Sequence, residues 1–263
     1  MLATAAYTTV GAASGWAAGW LAEEAYSRWY GPSVAIITIT GFSINHPSLS
    51  LLSADDVIIK NNYDRLRGRF PHSKLVELGD LEPEPIPAAT LRGVTTLYII
   101  GHGEDDVGTV GMVDVETIYK TLVTNVLKEA AAAGNTTEEK REAFRARWQI
   151  REINLVSCNS ASQRSGATNI ASQLAARFQA LTRNLGFQVV VRGVDGFATV
   201  NRGGDVLNVP RGRYADWQRD LNKLKQDAKK DKLPAGEIRQ RNQTILDTYS
   251  TGRRNDFAEY RTT

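Results

Sequence analysis

Five short apolar runs recur along the middle of the chain, each rich in β-branched residues. They are Val34 to Thr40, Asp56 to Lys60, Thr96 to Ile100, Ile153 to Ser157 and Phe187 to Arg192. Runs this short and this apolar predict strands buried on both faces. Between them the pattern changes to a helical period. Val115 to Ala133 carries apolar residues at Val115, Ile118, Leu122, Val126 and Leu127. Thr137 to Trp148 is charged and amphipathic. Ala167 to Leu185 sets Ile170, Leu174, Ala175, Phe178 and Leu181 on one stripe, with Gly186 placed to cap it. Near the end, Thr199–Val200 and Val206–Val209 flank Arg202-Gly-Gly-Asp205, which reads as a hairpin. Strands alternating with helices predict an α/β fold, a mostly parallel sheet with helices on both faces. Right-handed crossovers then bring functional groups to the carboxyl ends of the strands.

The two ends of the chain differ from this middle. Met1 to Ala22 has no charged residue and is rich in Ala, Gly and Thr. Gly11, Gly15 and Gly19 recur every four residues beside Trp16 and Trp20, so on a helix they share one face. Residues 1–30 are read as a small-residue helical segment that packs on its own domain or a partner; residues 1–22 are just long enough to enter a membrane. No basic stretch precedes them, so a secretory signal is not expected. Residues 31–212 form the predicted α/β domain. Residues 213–263 form a charged helical tail. From residue 211 onward, 13 Lys and Arg face 8 Asp and Glu, so this end carries +5 of the chain's +3 and the rest is −2. Trp217 to Lys232 interleaves both signs, Pro234 interrupts, and Glu237 to Tyr249 resumes a helical pattern. Mixed signs suit a solvated helical face or an arm that docks a partner.

Composition narrows the chemistry. The chain has 263 residues, 42% of them hydrophobic, enough for a packed core. A net charge of +3 is too small to make nucleic acid the main partner. A single cysteine allows no internal disulfide and no cysteine-based zinc cage. Three scattered histidines make no metal pattern, and no cofactor is expected. His46 and His72 sit in Pro-containing loops and read as turn residues; Glu104, Asp105 and Asp106 read as a solvated acidic loop. Neither a Gly-x-Ser-x-Gly nor a phosphate-binding glycine pattern follows any strand.

That cysteine and one histidine stand at strand ends. One run reads Leu97-Tyr-Ile-Ile-Gly-His-Gly-Glu104, with His102 between two glycines just past an apolar strand. The other reads Ile153-Asn-Leu-Val-Ser-Cys-Asn-Ser160, with Cys158 in the same position on its own strand. If these strands are neighbours in a parallel sheet, both side chains emerge at one edge. A thiol beside an imidazole is a nucleophile and its base. Backbone N–H groups of Gly103 and Cys158 are the candidate oxyanion donors. Read separately, a lone cysteine at a strand end is a small core residue, and Gly-His-Gly a structural turn.

The order strand–His-Gly, crossover, strand–Cys resembles the caspase-like cysteine peptidases of clan CD. That group includes caspases, legumain, gingipains, the self-processing protease domains of RTX-type bacterial toxins, and CHAT domains. The 56-residue spacing from His102 to Cys158 is similar to the caspase spacing. Leu155 to Ala161, Asn169 to Ala175, Gln188 to Val191 and the Gly193-Val-Asp-Gly196 turn look most like the toxin-associated and CHAT-like bacterial members. The resemblance spans roughly residues 33–210. It implies a three-layer α/β sandwich, His102 as base, Cys158 as nucleophile, and Gly103 in the oxyanion site. The caspase signature before the cysteine is absent, since Val156 and Ser157 stand there. Pocket walls in such folds come from loops after the first, fourth and fifth strands. Here those are Gly41-Phe42-Ser43, Ser157 with Asn159, and Gly193 to Gly196, where Asp195 either meets a basic substrate residue or, the commoner role of an Asp-Gly pair, serves the turn. The resemblance thus implies an endopeptidase that cuts a protein or its own parent chain. It would be a bacterial effector or toxin module, in the bacterial cytoplasm or delivered to a target cell. Some toxin relatives need a small polyanion, but Arg65, Arg67, Arg69, Arg192, Arg202, Arg211 and Arg213 are too scattered to assign such a site. The alternative from another class is an inactive caspase-like interaction module, with membrane association through residues 1–22 compatible with either.

Overall fold

In the computed structural model, the described residues are 33–40, 54–79, 83–103, 109–161, 169–183, 185–250 and 257–261. In chain order the elements are β1 (Val34–Ile39), α1 (Ala54–Arg69), β2 (Lys74–Leu78), α2 (Ala88–Leu91), β3 (Thr96–Gly101), β4 (Thr109–Val110) and β5 (Val113–Asp114). Then come α3 (Val115–Ala132), α4 (Thr137–Arg147), β6 (Glu152–Val156), α5 (Ile170–Thr182) and β7 (Val190–Val194). The chain closes with β8 (Gly196–Val200), β9 (Val206–Pro210), α6 (Arg211–Lys230), α7 (Ala235–Tyr249) and β10 (Phe257–Arg261). The main sheet runs in the order β2-β1-β3-β6-β7-β10. Its first five strands are parallel and β10 is an antiparallel edge. This is the mostly parallel α/β sandwich that the strand–helix alternation implied.

The apolar residues of each strand alternate between two cores. On one face Ile37, Ile39, Leu97, Ile99, Ile153, Leu155 and Val191 pack under α2 to α5, against Leu122, Val126, Trp148, Leu174 and Phe178. On the other face Ile36, Ile100, Val156 and Val194 meet Ile59, Tyr63 and Leu66 of α1, and Ala198 and Val200 of the β8–β9 hairpin. A third, smaller core joins that hairpin to the last two helices through Leu207, Val209, Trp217 and Leu246. Side-chain caps start the long crossover helices. Asp114 accepts from Thr117 N at 2.7 Å, Asn169 accepts from Ser172 N at 2.8 Å, and Thr136 with Glu139 forms a reciprocal capping box.

Three sequence expectations change, and two strands are added. Asp56 to Lys60 is not a strand but lies inside α1. Its apolar run is only Val57-Ile58-Ile59, too short to show a period, and Ile59, Tyr63 and Leu66 continue it at helical spacing, all buried. The strand expected at Phe187 begins at Val190, because its ladder is set by the pairs Glu152↔Val190 and Asn154↔Arg192. Phe187 instead lies under the Arg151 guanidinium, 4.3 Å from ring to carbon. The helix expected to reach Leu185 ends at Thr182 with Arg183 as its cap, and Gly186 serves the following turn at φ 69°. The two edge strands, β2 and β10, had no clear alternation in the sequence. The helices expected over Trp217 to Lys232 and Glu237 to Tyr249 are present as α6 and α7. Residues 1–32, and with them the glycine-stripe segment, lie outside the described residues, as do Gly41-Phe42-Ser43, His46 and Glu104 to Asp106. Among the described residues no helix is long and apolar enough to cross a membrane.

Candidate active site

Strand register decides what meets at the sheet edge. β3 and β6 are parallel neighbours, and their last pair is Ile100↔Val156. His102 and Cys158 each stand two residues beyond that pair. Side chains alternate with period two, so both continue on the face that carries Ile100 and Val156. That is the face covered by α1 and the β8–β9 hairpin. Both residues line one cavity of about 380 Å³. Its apolar lining includes Ile58 and Ile59 from α1, Val156, and Phe197 and Ala198 from β8. Its polar lining includes Asn62, Asn159, Arg211 and Tyr214.

The two loops touch through glycine. A Cβ added to Gly103 would overlap the Cys158 carbonyl oxygen, 2.6 Å from Ser157 Oγ and 2.8 Å from the Cys158 carbonyl carbon. Only a residue without a side chain lets the backbone after His102 approach the nucleophile loop this closely. The β4–β5 hairpin steadies the other side of the histidine loop. Gly103 bridges Val110, and the hydrogen bond of that bridge runs from Gly111 N–H to His102 C=O at 2.7 Å. Such a pair leaves the facing residue's own N–H outside the bridge, so Gly103 N–H points away from Val110.

The cysteine loop is tied to the next strand. Asn159 N donates to Gly196 O at 2.7 Å and Ala161 N to Val194 O at 2.9 Å. Ser160, fully buried, accepts from Val194 N at 3.0 Å through its Oγ. Asn159 takes φ 56°, the left-handed region that asparagine tolerates better than most residues. Its Oδ1 accepts from Arg211 Nε at 3.0 Å. On the α1 side, buried Asn62 accepts from Val200 N at 2.9 Å and so fastens the cavity's helix to β8.

The sequence-derived site residues separate into two groups. His102, Gly103, Cys158 and Asn159 come together at the cavity. Ser157 does not line it: period-two alternation turns it inward beside Gly103, 1% exposed, with no hydrogen-bond partner for Oγ among the described residues. Asp195 does not line it either; it is the exposed bend residue between β7 and β8. The strand ends one residue before Asp195 and the chain bends there, the turn position in which an Asp-Gly pair is common. Ile58, Asn62, Phe197, Arg211 and Tyr214 were not singled out as site residues in this role. Nothing local marks them, since Ile58 and Asn62 come from α1, and Phe197, Arg211 and Tyr214 from the hairpin and helix that fold back over the edge. Among the described residues no group of three or more His, Cys, Asp or Glu is placed to hold a metal ion.

No curated protein matches the chain. A family model described as the Peptidase C80 family matches residues 53–207. The match contains both strand-end motifs and covers more than half of the chain, and on that basis the chain belongs to the peptidase C80 family of cysteine peptidases.

Proposed function

We propose that Cys158 and His102 are the nucleophile and base of a cysteine endopeptidase. The carrying observation is their joint position two residues past the Ile100↔Val156 pair, on the lining of one cavity. In the reaction the Cys158 thiolate attacks the scissile carbonyl carbon, forming a C–S bond as the carbonyl π electrons move to oxygen. His102 takes the thiol proton. The oxyanion accepts from backbone N–H groups, of which Gly103 and Cys158 are the candidates. Collapse breaks the C–N bond and His102 delivers its proton to the departing amine. Water then attacks the thioester carbon as His102 takes the water proton, the C–S bond breaks, and His102 returns the proton to the departing Cys158 thiolate as the acid leaves.

The mixed apolar and polar lining suits a peptide segment, with the substrate a protein or the enzyme's own parent chain. The effector or toxin role rests on the resemblance of the two motifs to toxin-associated members. The test is Cys158→Ala and His102→Ala against wild type, on casein and for self-cleavage. Each substitution is expected to lower cleavage by about 10³-fold or more. Unchanged cleavage in both variants sinks the proposal and returns the chain to the interaction-module reading.

A further inference from the structure

Two residues on the Cys158 cavity, Arg211 and Tyr214, lie beyond the family match, which ends at residue 207. Both stand in the first turn of α6, which follows β9 without a break. α6 is held to the cavity wall by ring contacts: Phe197 lies 4.6 Å from Trp217 and 5.8 Å from Tyr214, centroid to centroid. The base of Arg211 is therefore fixed relative to β8. From there its Nε reaches back 52 residues in sequence to Asn159 Oδ1. Asn159 directly follows the cysteine and carries the left-handed turn of that loop. Asparagine tolerates this conformation, and contacts on both its backbone and its side chain select it here. Asn159 is held by its backbone N–H on Gly196 O and by its side chain on Arg211, among other contacts.

We infer that Arg211 is a positioning residue for the nucleophile. By holding the Asn159 side chain it fixes the turn after Cys158, and so the direction of the thiol. The α6–α7 pair thereby becomes part of the peptidase unit, a latch on the cysteine loop applied from outside the matched segment. This inference rests on the Cys158–His102 reading. Arg211 acts through Asn159 and not on the reacting atoms.

Two alkylating reagents separate alignment from simple exposure. Iodoacetamide reports the accessibility and ionisation of the thiol. A phenylalanyl chloromethyl ketone, whose side chain suits the apolar lining, also needs the carbonyl seated and the thiol directed. Cys158 labelling by each is followed by intact mass on the full chain for wild type, Arg211→Gln, Asn159→Gly, the double variant and His102→Ala. Glycine at 159 keeps the left-handed backbone and removes the acceptor. Arg211→Gln is expected to slow chloromethyl ketone labelling about fivefold, the effect of one hydrogen bond of ordinary strength. Its iodoacetamide rate should match wild type, because Arg211 is exposed, and its melting temperature should fall by no more than about 2–4 °C, the global cost of the same hydrogen bond. Asn159→Gly should give a similar loss, and the double variant no more than the larger single effect. Arg213→Gln, an exposed arginine two residues on, should change nothing. Equal chloromethyl ketone rates in Arg211→Gln and wild type overturn the inference while leaving the peptidase reading intact. So does a double variant whose losses multiply. Chloromethyl ketone labelling that does not depend on His102 overturns the dyad reading, and the inference with it.

Discussion

Gly103→Ala is the most direct test of how the two loops are assembled. The new methyl would overlap the Cys158 carbonyl oxygen and stand 2.8 Å from its carbon. Two carbons settle at about 3.5 Å or more, so the loops must part by roughly 1 Å, somewhat further to clear the oxygen. The obstacle is backbone, not the far end of a flexible side chain, so it cannot swing aside. Overpacking of this kind costs about 1–3 kcal/mol, which lowers the melting temperature of a domain this size by roughly 2–10 °C. The effect on the reaction is larger. A misplacement of about 1 Å at the reacting groups costs around 10²-fold. The assay is chloromethyl ketone labelling of Cys158 alongside casein cleavage, both below the melting transition, with iodoacetamide as the exposure control. The expected result is a loss near 10²-fold in the first two and little change in the third. Gly68→Ala is the matched control: nothing lies within 4 Å of its added methyl, and α1 should gain about 0.5–1 kcal/mol from it. Wild-type labelling and cleavage in Gly103→Ala would show that the histidine and cysteine loops do not need this contact, and the account of the site would fail.

Two further outcomes follow from the supporting structure. Asn62→Ala strips the acceptor from buried Val200 N–H, and should destabilise the fold by about 1–3 kcal/mol in urea titration; an unchanged midpoint refutes the α1–β8 tie. Glu139 accepts from the backbone N–H groups of Thr136 and Asn135, and these bonds hold its carboxyl below the usual carboxylate range. A carboxyl depressed in the folded state contributes stability that is present above its unfolded value and is lost as pH falls through the folded one. The stability gap between wild type and Glu139→Gln should thus be widest near neutral pH and close below about pH 4, read as urea midpoints across that range. A gap that widens in acid contradicts the capping role.

Much of the frame was legible because it depends on local periodicity. The β-branched runs at Val34, Thr96 and Ile153 are buried on both faces, and burial on both faces leaves a continuous apolar signature. The helices α3 and α5 bury one stripe each, so their sequences repeat with a helical period, while α4 buries only Phe144 and is marked by its capping box and charged face. β2 escaped because an edge strand such as Lys74–Leu78, half-buried and exposed by turns, needs little apolar surface. The start of α1 reads as a strand in one dimension because a run of three apolar residues fits either period. At the site, the strand-end positions of His102 and Cys158 could be read from the chain, since each follows its own apolar run.

What the sequence alone determined was the inventory: a strand ending in Gly-His-Gly, a strand ending in the single cysteine, and enough helix between them for a crossover. That inventory is local, and local patterns survive in one dimension. Only the tertiary structure decided that β3 and β6 are neighbours, in a register that sets both ends level. The same structure decided that Ser157 turns inward, that Asp195 stays outside, and that Asn62, Phe197 and Arg211 close the cavity. Those residues come from α1, β8 and α6, over a hundred positions apart from end to end. Their meeting depends on how helices and a hairpin pack over one face of a sheet. No spacing along the chain encodes that packing.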